Sequence, residues 1–141
     1  MSRSVLRVIA VALVALAGPA ACGDSKPKSD ADSVKQVVEQ FNHAVSGGDY
    51  GAACDLLLER RRKQLEFEQS KSCSDVLEQS TKSNADLVKA LGEARVTIVR
   101  VTGDAATAEV EGSQELGPGR QAVLEKAGGN WRITEPAIGL L

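Results

Sequence analysis

The spacing of apolar residues changes once along this chain, at Gly92, and no other feature of the sequence limits the fold as strongly. Before that glycine, apolar positions recur every three or four residues; after it they recur every two. Such a chain is expected to fold as helices followed by strands, an α+β arrangement with an antiparallel sheet. The first helical stretch opens at Ser33, where Gln36 three residues on completes a capping box. Val34, Val37, Val38, Phe41 and Val45 then fall within about 100° of arc, one stripe for burial. Ser46-Gly47-Gly48 ends this helix, and Asp49 caps a second one carrying Tyr50, Ala53, Cys54, Leu57 and Leu58. The connection is short, so the two helices pack together. Residues 59–72 hold the i,i+4 pairs Glu59–Lys63 and Arg62–Glu66, while Leu65 and Phe67 alternate. The expectation there is a helix fraying into a loop. Helix resumes near Ser74 with Val76 and Leu77. It restarts after Ser83, where Asp86 completes another box, and exits at Gly92.

Beyond Gly92, Val96, Ile98 and Arg100 alternate with Thr97, Val99 and Val101. Gly103-Asp104 is a turn, and Ala106, Ala108 and Val110 mark the return strand. Residues 112–119 read as a polar, glycine-rich loop. Gln121 to Lys126 and Trp131 to Thr134 form two more strands around Gly128-Gly129-Asn130. The helices are expected to cover one face of a four-stranded antiparallel sheet.

The N-terminus carries a different message. Arg3 and Arg7 precede ten consecutive apolar residues, Val8 to Ala17, and then Gly18-Pro19-Ala20-Ala21. This reads as an export signal over residues 1–21. The run is too short for a bilayer of about 30 Å, which takes about 20 residues. Cys22 followed by Gly23-Asp24-Ser25 resembles the cleavage site of bacterial lipoproteins. In that family the cysteine becomes the first residue and carries acyl chains, so Cys22 is the expected lipid attachment. The chain would then be extracytoplasmic and held to the cell membrane by lipid. Ordinary secretion, with cleavage after Ala20 or Ala21, is the alternative. Residues 23–32 hold no large apolar group and read, with Cys22, as a solvated tether to a domain over residues 33–141.

Export implies an oxidising compartment, where cysteines pair. With Cys22 taken by lipid, Cys54 and Cys73 remain, and a disulfide between them is expected; two buried free thiols are the alternative.

Val34 to Leu58, an amphipathic helix, a Gly-Asp break and then Tyr-x-x-Ala-Cys-x-Leu-Leu, looks like the opening helices of nuclear-transport-factor-two-like domains, also called SnoaL-like or cystatin-like. The hairpin Val123-Leu124-Glu125-Lys126 and Gly129-Asn130-Trp131-Arg132-Ile133 resembles that family's last two strands. A matching cysteine pair recurs in small exported lipoproteins of actinobacterial type. The resemblance implies a cone: helices packed on a curved antiparallel four-stranded sheet, often with a pocket at its open end. Tyr50, Phe41 and Trp131 are then the candidate pocket residues.

The sequence is poor in catalytic groups. His43, the single histidine, lies about 180° from the centre of the apolar stripe and should face water. A multi-histidine metal site is excluded on that count. The enzymes of the resembled family use Asp–His or Tyr–Asp sets inside the cone; Glu109 and Glu125, the nearest inward candidates, sit in a solvent-facing register. Gly117-Pro118-Gly119 lacks the third glycine of a dinucleotide loop. No catalytic residue, metal or cofactor is assigned. Lys+Arg is 17 against Asp+Glu 19, and removing residues 1–21 takes away two arginines, leaving 15 − 19 = −4. That balance and only four aromatic residues argue against a nucleic-acid partner. Arg60-Arg61-Arg62-Lys63 spreads around a helix, either as a solvated face or as a contact for anionic headgroups or cell-wall polymers.

The expected function is therefore a non-catalytic lipoprotein domain that binds a small apolar ligand or an envelope protein. An isomerase- or dehydratase-like enzyme and an accessory subunit of a membrane complex are the alternatives. The mature protein from its native cell should begin at Cys22 with the added mass of acyl chains. Mass spectrometry checks this, and an unmodified Cys22 rules out the anchor.

Overall fold

The computed structural model describes residues 28–112 and 116–139. The expected export signal, Cys22 and residues 23–27 lie outside the described residues. Five helices precede four strands: α1 (Asp30–Ser46), α2 (Tyr50–Leu56), α3 (Glu59–Gln69), α4 (Cys73–Lys82), α5 (Ala85–Glu93), β1 (Arg95–Thr102), β2 (Ala105–Glu111), β3 (Arg120–Ala127) and β4 (Asn130–Glu135). The fold is α+β, as the change of period requires. The strands form one open antiparallel sheet in the order β1-β2-β3-β4.

Helix α1 organises the rest. It touches α2, α5, β1, β2 and β4. Val34, Val38, Phe41 and Val45 are all buried, and His43 is exposed. Ala106, Ala108 and Ala122 supply small inward side chains on the central strands, which leaves room for the larger residues of the helix layer. The helix starts one turn earlier than the sequence suggests. Ser29 is the N-cap, and its hydroxyl accepts from the Asp32 amide at 3.1 Å and donates to the Asp32 carboxylate at 2.7 Å. Ser33 instead donates its hydroxyl to the Ser29 carbonyl. Asp30 to Asp32, read as tether, are thus helical. The left-handed residue that closes the helix is Gly48 at φ 78°, rather than the cap Gly47.

Four more differences have local causes. Helix α2 stops at Leu56, because Leu57 turns extended and forms a parallel bridge with Ile133. The Leu58 amide donates to the Ile133 carbonyl at 2.8 Å, which covers the open edge of β4. Residues 59–69 are fully helical and end on Ser70 in the left-handed region. In a helix Leu65 and Phe67 point about 200° apart, so Leu65 is 3% exposed and Phe67 85%. Helix α4 is capped by Ser72, and α5 by Asn84 without a side-chain cap bond. Ser83 and Asn84 donate back to the carbonyls of Gln79 and Ser80, so the Ser83–Asp86 box does not form. The loop after β2, read as polar, buries Leu116 completely.

Two β-bulges settle which side of the sheet each residue faces. In β1 the register slips between Val96 and Ile98, opposite Val110 and Glu109. Strict alternation from Val96 would have placed Arg100 in the core, at a cost of several kcal/mol for an unpaired charge. The slip sends Arg100 out to Glu109 at 2.8 Å and leaves Ile98 42% exposed.

Cys54 on α2 and Cys73 at the start of α4 form the expected disulfide, with Cα atoms 6.1 Å apart and both residues buried. Their sequence separation of 19 residues corresponds to about 3 kcal/mol in the chain-entropy account. Replacing both cysteines by serine should lower unfolding free energy by about 3 kcal/mol or more. Urea titration of the double variant beside the parent measures the loss.

Candidate functional site

The most built-up polar arrangement lies where the start of α1 meets the last hairpin. Gly128 and Gly129 both have positive φ, 58° and 82°, a reversal that L side chains disfavour. The tight turn pairs Ala127 with Asn130 and Lys126 with Trp131. Cross-strand partners share a face, so the Lys126 ammonium sits 5.5 Å from the centre of the indole. The additional first turn of α1 brings in Asp30. Its Oδ1 accepts from the Trp131 Nε1–H at 3.0 Å and from Lys126 Nζ at 2.8 Å. Trp131 is 3% exposed, so its one donor needs a partner, and Asp30 supplies it. The Lys126 and Trp131 hydrogen bonds hold the Asp30 carboxyl below its ordinary 3.8. A carboxylate so held is a poor base.

A hollow of about 460 Å³, open to solvent, adjoins this cluster. Lys28, Gln36, Leu56, Asn130 and Arg132 line it with Asp30, Lys126 and Trp131. Lys28 donates to the Gln36 side chain at 2.6 Å. Arg132 lies across the strands from Glu125, on the face opposite to Trp131 and Lys126, and also borders a second hollow with Asp55, Glu59 and Arg62.

The three candidate pocket residues are not gathered around this hollow. Trp131 lines it; Phe41 and Tyr50 do not. Phe41 is 2% exposed in the core. The Tyr50 hydroxyl meets Thr81 Oγ1 at 2.8 Å, which ties α2 to α4. Glu109 and Glu125 lie on the outer side of the sheet, paired with Arg100 and Arg60. Among the described residues no group of three or more His, Cys, Asp and Glu converges on a metal-sized space.

The basic run on α3 is dispersed. Arg60 reaches Glu125 at 2.5 Å, Arg62 reaches Asp55 rather than Glu66 at 3.5 Å, and Lys63 pairs with Glu59 at 2.6 Å. Arg61 lines a separate hollow of about 510 Å³ with Gln64, Thr134 and Ile138, and its Nε is buried without a partner. Nothing in the sequence marks Asn42, which is 3% exposed with its Nδ2 unpaired. It sits roughly 90° from the centre of the α1 stripe, where the periodicity separates buried from exposed positions poorly. The role of Asp30 was hidden for another reason: it depends on contacts across about 100 residues of chain.

Comparison with protein-family models, with characterised proteins and with solved structures gives no match.

Asp30 links pH to this cluster. A carboxylate whose folded pKa is depressed stabilises the fold above its unfolded pKa and ceases to do so as pH falls through the folded one. The emission of Trp131, the only tryptophan, should therefore change in a step below pH 3.8. The step should be absent from Asp30→Asn. A fluorescence titration of both proteins under conditions where each remains folded tests the link.

Proposed function

We propose that this chain is an exported lipoprotein, anchored through Cys22, whose folded domain is a non-catalytic module for binding another envelope protein. The resemblance of its helices and final hairpin to nuclear-transport-factor-two-like domains belongs to the same proposal. The order of helices followed by antiparallel hairpins agrees with it, as does the Cys54–Cys73 bond.

The observation that carries the reading is the fate of the two phenylalanines. Phe41 is 2% exposed in a filled interior beside Leu77, Leu91, Leu124, Ile133 and Ile138, all completely or almost completely buried. Phe67, on the outside of α3, is 85% exposed. Burying a phenylalanine fully is worth roughly 1.5–3 kcal/mol, which this domain leaves unused on its own surface. An aromatic ring projecting from a rigid helix is a common anchor for a partner protein. A small apolar ligand needs an enclosed apolar hollow instead, and the hollows described above are open and largely polar.

A photo-crosslinking side chain at position 67 in intact cells should capture one envelope protein in stoichiometric yield. Phe67→Ala, exposed and expected to change stability by under 0.5 kcal/mol, should abolish co-purification of that partner. The absence of any captured protein, or unchanged co-purification, defeats the reading.

A further inference from the structure

We draw no further inference here: the strongest candidate, the hollow of about 510 Å³ between α3 and the end of β4 where the Arg61 Nε is buried without a partner, has no excess of cations to mark it for an anion, since Arg60 is paired with Glu125 and Glu135 lines the same hollow.

Discussion

The burial of one face of α1 holds this domain together. Val34, Val38, Phe41 and Val45 lie at 2% exposure or less. They lie on the helix that reaches two other helices and three of the four strands. At roughly 1.5–3 kcal/mol for each large apolar side chain, this stripe outweighs any polar contact in the molecule. Close packing sets the terms for its neighbours. Where α5 crosses α1, a Cβ on Gly92 would come within 2.9 Å of Ser46 Oγ, so the helix passes through a glycine that reads in the sequence as its end. The disulfide then fastens α2 to α4, which α1 does not reach as extensively.

Polar groups are arranged around this core rather than within it. Asn42 and Thr81 are the only buried polar residues among those described, and Thr81 is satisfied by Tyr50 and the Glu78 carbonyl. Among the described residues the ion pairs lie at the surface, where water screens them and each contributes little. The start of α1 and the last hairpin share a surface cluster, Asp30 with Lys126 and Trp131.

Much of the architecture was legible because hydrophobic burial imposes a period on the chain. The α1 stripe, the Asp49 cap, all four strands and both tight turns follow from local spacing and from glycines that tolerate positive φ. The errors arose where two local readings were chemically equivalent. Ser29-x-x-Asp32 and Ser33-x-x-Gln36 both satisfy a capping box, and only the contact of Asp30 with Trp131 and Lys126 favours the earlier start. Leu57 and Leu58 fit the helical period, yet their backbone groups gain more by closing the edge of β4. Leu65 and Phe67 look like alternation until the full turn of α3 separates them.

The amino-acid sequence alone determined the class of fold, since the period of its apolar residues is set within a few turns of chain. Tertiary structure alone decided which strand positions face inward, because a bulge of one residue reverses every side chain after it. It also decided that Asp30, Lys126 and Trp131 form one cluster. Those residues are about 100 positions apart, and hydrogen bonds depend on distances in space that no local pattern encodes.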